Sequence, residues 1–122
     1  MRTILIIGAG RSASSLIQYL LNKSVKENLH LVIGDLSLAL AQKKTNNHPN
    51  ATAISLDIFD EDQRKKAIQI ADIVISMLPA HLHIEIAKDC VIYKKHLVTA
   101  SYVSDAMKEL DAAAREQSHF HE

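Results

Sequence analysis

The residues best placed to do chemistry are small ones near the start of the chain. Gly8, Gly10 and Ala13 follow an apolar run and fill the spacing G-x-G-x-x-G/A. In this pattern the first glycine permits a tight turn, the second lets the backbone approach a pyrophosphate, and the third small residue lets a helix pack closely on the strand before it. The expected chemistry is phosphate binding by unpaired N–H groups at a helix N-terminus, as in a dinucleotide site.

The other residues of this turn, Ala9, Arg11 and Ser12, belong to the same predicted cofactor site. A guanidinium pairs with phosphates and stacks on aromatic rings. Arg11 could therefore stack over an adenine or pair with the pyrophosphate, and it could equally be a solvated side chain.

Asp35 follows a second apolar stretch, residues 29–34, where the pattern requires an acid that accepts hydrogen bonds from the adenine ribose. A carboxylate there would repel the 2′-phosphate of NADP, because like charges in contact are costly in a partly desolvated site. Leu36, which we place in the cofactor site, and Ser37 supply no compensating arginine. We therefore predict NAD rather than NADP. The alternative is that Asp35 only caps the next helix.

Five apolar segments alternate with helical patterns along the 122 residues, which is typical of a parallel sheet with helices on both faces. The predicted strands are residues 3–7, 29–34, 51–56, 72–77 and 96–100, and the helices are 12–21, 36–44, a short helix from Asp60, 81–93 and 105–116. Right-handed crossovers favour the strand order 3-2-1-4-5, a doubly wound α/β fold of the Rossmann type. We expect residues 1–122 to form a single dinucleotide-binding domain.

The switch point of this strand order lies between strands 1 and 4, and ligands bind there at the carboxyl ends of the strands. Asp57 and Ile58 follow strand 3, Leu78 and Pro79 follow strand 4, and Thr99 lies at the end of strand 5. All five are predicted to line the cofactor cleft. For Asp57 two roles stay open, since it could cap the loop after its strand or approach the adenine.

The composition argues against several kinds of partner. Lysine and arginine together number 14, as do aspartate and glutamate, so no basic surface indicates a nucleic acid or an anionic membrane. No apolar run approaches the ~20 residues of a membrane span, and we expect a cytoplasmic protein. The single cysteine, Cys90, is predicted to be a small core residue on a helix.

His81, His83 and Glu85 stand at alternate positions, a spacing that could ligate a metal in an extended segment. On the predicted helix, residues two apart point to different sides, so the three side chains cannot converge. No metal site is predicted.

A more specific pattern begins at Ser76. The run Ser-Met-Leu-Pro-Ala-His-Leu-His (76–83), the run Lys-His-Leu-Val-Thr-Ala-Ser-Tyr (95–102), and Met107 with Leu110-Asp111 together resemble the N-terminal domain of the saccharopine dehydrogenase family. In that family the Leu-Pro, the following histidine, the Lys-His, the Thr-x-Ser-Tyr and the Met-x-x-Leu-Asp recur in this order. The resemblance covers nearly all of the chain.

This resemblance implies an NAD(P)-binding domain of an oxidoreductase. Such an enzyme makes or cleaves, by hydride transfer, the secondary amine that links an amino acid to a keto acid. By the same resemblance, Leu78 and Pro79 belong to the loop beside the nicotinamide, and Thr99, Ser101 and Tyr102 belong to the loop that reaches toward the substrate. The catalytic residues stay unassigned.

The resemblance also implies a longer enzyme. The sequence stops at Glu122, where the family would enter a sixth strand, and we expect a substrate domain of the same polypeptide to hold most substrate contacts. We expect the chain alone to bind the cofactor without turnover, and to be able to form a homodimer through the edge of strand 5. One departure from the family is Asp35, near which members that use NADPH have an arginine.

A different class of protein shares the turn and the acid after strand 2, namely the nucleotide-sensing regulatory domains attached to potassium channels. Those domains resemble one another in a Gly-Asp-Ala segment after strand 3, where this chain has Ser55-Leu56-Asp57. That difference and the Leu-Pro and Thr-x-Ser-Tyr segments weigh against this alternative. A third alternative is a domain that has lost nucleotide binding and only mediates assembly.

Overall fold

Five parallel strands form one sheet in the order β3-β2-β1-β4-β5. The structure is a computed structural model that describes residues 1–11 and 13–99. Its strands are β1 (Arg2–Ile7), β2 (Leu29–Asp35), β3 (Ala51–Ser55), β4 (Ile73–Ser76) and β5 (His96–Thr99). In register, Ile6 of β1 lies opposite Ile33 of β2 and Ile75 of β4. The predicted fold class and strand order are therefore confirmed.

Within the described ranges, four α-helices connect the strands. They are α1 (Ala13–Ser24), α2 (Leu38–Thr45), α3 (Glu61–Gln69) and α4 (His83–Ile92). α1 and α2 pack on one face of the sheet, and α3 and α4 pack on the other. β1 is buried between them, because Ile4 and Ile6 contact the first pair of helices while Leu5 and Ile7 contact the second.

The helix boundaries differ from the predicted ones for local reasons. α2 begins two residues later than predicted, because the Ser37 hydroxyl caps it by accepting the Leu40 N–H at 3.2 Å. α1 continues to Ser24, whose hydroxyl bonds back to the Leu21 carbonyl at 2.7 Å. α4 also begins two residues late, since a 3₁₀ helix (Ala80–Leu82) precedes it.

Some of the predictions lie outside the described residues. These are Ser12, Ala100, Ser101, Tyr102 and the helix over residues 105–116. In the part of the chain that the structure describes, no helix is both long and apolar enough to cross a membrane.

Candidate cofactor-binding site

The turn after β1 is built from its backbone. Gly8 is buried with a φ of 102°, a conformation that residues with a side chain rarely adopt, and a Cβ there would lie 3.3 Å from Leu78 Cδ2. Its N–H donates to the Gly34 carbonyl at 2.8 Å, which extends the pairing of β1 with β2 past the end of the strand. The chain can then turn sharply into α1.

Gly10 is a glycine for a different reason. Its φ is not positive, and a Cβ built on it would meet no atom of the described residues within 4 Å, apart from its two neighbours in the chain. Neither backbone conformation nor packing against the described residues therefore requires glycine here. The open space in front of its backbone, at the start of α1, fits the close approach of a pyrophosphate.

Asp35 connects the turn to the end of β2. Its Oδ1 accepts the Ala9 N–H at 2.9 Å, and its Oδ2 accepts the Ser37 N–H at 2.9 Å. The residue is half-buried, and it is Ser37, not Asp35, that caps α2. Asp35 therefore links the glycine turn to the loop before α2 through these hydrogen bonds.

A cleft with a cavity volume of about 170 Å³ opens beside this turn, at the carboxyl ends of the strands. Among the predicted site residues, those that line it are Gly8, Asp35, Leu36, Asp57, Ile58 and Leu78. The lining residues that sequence reasoning missed are Ile7, Gly34, Leu56, Phe59 and Leu82. Leu56 follows an apolar strand, so the same rule about carboxyl ends could have found it.

The remaining predicted site residues do not line the cleft. Ala9 and Ala13 are fully buried, Gly10, Arg11 and Pro79 are exposed, and Thr99 is half-buried at the end of β5. Their assignment to the cofactor site stays a prediction.

The loop between β3 and α3 forms one wall of the cleft and is held by several hydrogen bonds. Asp57 Oδ1 accepts the Phe59 N–H at 2.9 Å, and the Asp57 N–H donates to Gln63 Oε1 at 3.1 Å. The Leu56 N–H donates to the Asp35 carbonyl at 2.8 Å, which ties this wall to β2. Of the two roles left open for Asp57, the structure shows the one within the loop.

The fully buried Ser76, at the end of β4, is 2.8 Å from His83 Nδ1 through its hydroxyl. This pair ties the start of α4 to the strand beside the Leu78 loop. In residues 1–11 and 13–99, no group of three or more histidine, cysteine, aspartate or glutamate side chains could hold a metal ion.

Cys90 lies in the core between α4 and the sheet, 2% exposed. Burial raises the pKa of its thiol to about 11, and the neighbouring Asp89 carboxylate adds to the shift. The thiol is therefore protonated at neutral pH and is a poor nucleophile.

A doubly wound sheet with a glycine turn at its switch point, a helix N-terminus in front of the turn and an acid beside it defines a dinucleotide-binding domain of the Rossmann type. Residues 4–119 match the family described as the saccharopine dehydrogenase NADP binding domain. The chain belongs to this family.

This chain spans about a quarter or less of the length of three similar proteins. Saccharopine dehydrogenase (NADP(+), L-glutamate-forming) of Schizosaccharomyces pombe is 36% identical over 114 residues, which cover 93% of this chain and 25% of that protein. Alpha-aminoadipic semialdehyde synthase of Arabidopsis thaliana is 31% identical over 129 residues, covering 92% and 12%. The solved structure of apo saccharopine dehydrogenase (L-Glu forming) from Saccharomyces cerevisiae matches with a TM-score of 0.74 and 30% identity, covering 90% of this chain and 24% of that one.

The prediction of NAD over NADP is wrong. The family is described as an NADP binding domain, and the Schizosaccharomyces pombe relative carries NADP(+) in its name. The prediction treated Asp35 as a free carboxylate facing the ribose. In the structure both of its oxygens already accept backbone N–H groups, which compensate part of its charge. Its sign alone therefore does not decide between the two cofactors.

Proposed function

We propose that this chain is the NADP-binding part of an oxidoreductase that transfers a hydride between NADP(H) and a secondary amine joining an amino acid to a keto acid. The observation that carries the cofactor part is Gly10, a glycine that neither packing nor φ requires, at the N-terminus of α1. Membership in the saccharopine dehydrogenase NADP-binding family supports the reaction class.

In this proposal the residues of the turn bind and orient the cofactor. The N–H groups at the start of α1 face the pyrophosphate, and the exposed guanidinium of Arg11 adds positive charge beside them. Asp35 stabilises the conformation of the turn by accepting the Ala9 N–H. Bound NADP(H) would supply or accept the hydride, and the apolar wall at Leu78 would shield it from water.

The substrate half of the reaction is assigned to a second domain. This chain spans a quarter or less of the relatives described above, and their remaining length would bring the amine to the nicotinamide. Within residues 1–11 and 13–99, β5 pairs with a strand on one side only, which is β4. Its other edge is where we place contact with that domain or with a second copy.

Urea unfolding of the chain with increasing NADPH, NADH and 2′,5′-ADP tests the proposal. A ligand that binds only the folded state stabilises it by about 2.7 kcal/mol at a hundredfold excess over its Kd. We expect NADPH to raise the urea midpoint and to do so at lower concentration than NADH. A midpoint that does not move with NADPH would refute the proposal.

The two-domain part has its own test. The chain, NADP and a secondary amine of an amino acid and a keto acid are mixed, and NADPH absorbance is followed. We expect cofactor binding and no NADPH formation. Turnover by this chain alone would contradict the assignment of the substrate site to a second domain.

A further inference from the structure

A charged pair is buried between α3 and α4, where the surrounding cluster is otherwise apolar. Arg64 is 7% exposed and Asp89 is 2% exposed. Arg64 Nε donates to Asp89 Oδ2 at 2.5 Å, and Glu85 Oε2 lies 4.0 Å from Arg64 Nη2. Sequence reasoning did not single out either member of the pair.

The same guanidinium reaches the wall of the cleft. Arg64 Nη1 donates to the Ile58 carbonyl at 2.9 Å, and Ile58 lines the cleft together with Asp57 and Phe59. One side chain therefore connects α4, through Asp89, to the loop after β3. A planar guanidinium with several fixed donors can hold both partners in one geometry.

Stability alone is a weak reason for such a pair. The desolvation of two buried charges offsets much of their attraction, and well-packed apolar residues of similar size often do as well or better. Ala67 and Ile68, one turn further along α3, belong to such an apolar cluster. An arginine here gains what an apolar residue cannot supply, a directed bond to the Ile58 carbonyl.

The loop that Arg64 holds lies next to the end of β2. β3 is the neighbour of β2, and the acid at the end of β2 marks the adenosine end of a dinucleotide in this fold. We propose that Arg64 is a positioning residue for the adenosine end of the cofactor, acting through the Ile58 carbonyl and anchored by Asp89. This inference rests on the proposed function.

Two variants test this inference, and both are chosen so that the chain still folds. Arg64→Lys keeps the charge near Asp89 but lacks the planar set of donors. The double variant R64M/D89L replaces the buried pair with apolar side chains of similar size. Lys65→Met is the matched control, because Lys65 is on the same helix, pairs with the exposed Glu61 at 3.0 Å, and has no hydrogen bond to the loop.

Two quantities are measured on the full chain. The first is the Kd of 2′,5′-ADP, which carries only the adenosine end, and we expect both Arg64 variants to weaken it by about tenfold, as the loss of one well-placed hydrogen bond would. The second is native-state amide exchange. We expect faster exchange at Phe59 than in the wild type, with Ala9 unchanged, and wild-type values of both quantities in Lys65→Met.

The outcomes separate this inference from the proposed function. Unchanged affinity and unchanged Phe59 exchange in both Arg64 variants would overturn the inference alone. Equal acceleration at Phe59 and Ala9 would also overturn it, because the pair would then only stabilise the whole fold. A wild-type chain that binds neither NADPH nor 2′,5′-ADP would overturn the proposed function and this inference with it.

Discussion

The two faces of the sheet are built differently. Under α1 and α2, the core is aliphatic, and the buried polar side chains Ser24 and Thr45 are neutral hydroxyls that donate to carbonyls of their own helices. The Ser24 hydroxyl also accepts from Asn50 Nδ2 at 3.1 Å. Under α3 and α4, a buried ion pair crosses between the helices and reaches the cleft. The first face shows how burial stabilises this fold, and the second shows how a directed contact can shape a binding site at some risk to stability.

The largest expected effect is from breaking the ion pair on one side. Asp89→Leu leaves the Arg64 guanidinium buried beside an apolar side chain, and we expect the free energy of unfolding to fall by about 3 to 5 kcal/mol. Urea unfolding measures it. The double variant R64M/D89L should recover most of that loss. A single variant as stable as the wild type would show that the charge is not buried in solution.

On the other face, Leu31→Ala tests whether the aliphatic cluster contributes to stability only and not to cofactor binding. Leu31 is fully buried in the aliphatic cluster, so we expect a loss of about 2 to 5 kcal/mol from lost burial and the cavity left behind. The NADPH affinity of the folded chain should stay at the wild-type value. Calorimetry measures this affinity. If Leu31→Ala weakens NADPH binding as much as Arg64→Lys does, the face under α3 and α4 has no special role in shaping the cofactor site.

The hydrogen bonds that Asp35 accepts from Ala9 and Ser37 should contribute less to the free energy of unfolding than the ion pair or Leu31. In Asp35→Asn, the amide oxygen can still accept from Ala9, but the amide nitrogen cannot accept from Ser37, and we expect to lose about 1 to 2 kcal/mol of stability. NADPH should bind more weakly because the turn is less firmly held. If Asp35→Asn has the stability and NADPH affinity of the wild type, the carboxylate does not stabilise the turn.

At neutral pH, the effect of the Cys90 thiol on stability is absent, and it appears only in alkaline solution. The raised pKa of Cys90, about 11 against an ordinary value of 9.0, means that the unfolded chain loses the thiol proton before the folded chain does. Stability should therefore fall as pH rises from about 9 to about 11, and this thiol should contribute no pH dependence below that window. In Cys90→Ala the decline should be shallower. Parallel curves for the two proteins would contradict the burial of the thiol.

The fold could be predicted from sequence because its signals are local. Apolar runs without polar alternation mark strands buried on both faces, and the residues after them fall at one edge of the sheet. Gly8 and Asp35 were found in this way. Helix starts were less accurate, because caps such as Ser37 compete with apolar periodicity over two residues.

The rest depended on contacts between distant segments. The position of Arg64, one turn before Ala67 and Ile68, places it on the inward side of α3, but nothing in the sequence identifies Asp89, 25 residues away, as its partner. The cofactor prediction was wrong for a similar reason. The sequence shows a carboxylate at the end of the second apolar segment, but not that its oxygens already accept the N–H groups of Ala9 and Ser37.

The measurement that tests the account most directly is a calorimetric titration of NADPH into the wild type and into Gly10→Ala. Because Gly10 lacks a positive φ and has open space in front of it, we expect Gly10→Ala to be as stable as the wild type or slightly more so. The added methyl group should hold the pyrophosphate away from the N–H groups at the start of α1 and weaken binding by about tenfold or more. Equal NADPH affinity in the two proteins would contradict the claim that the pyrophosphate binds at this turn.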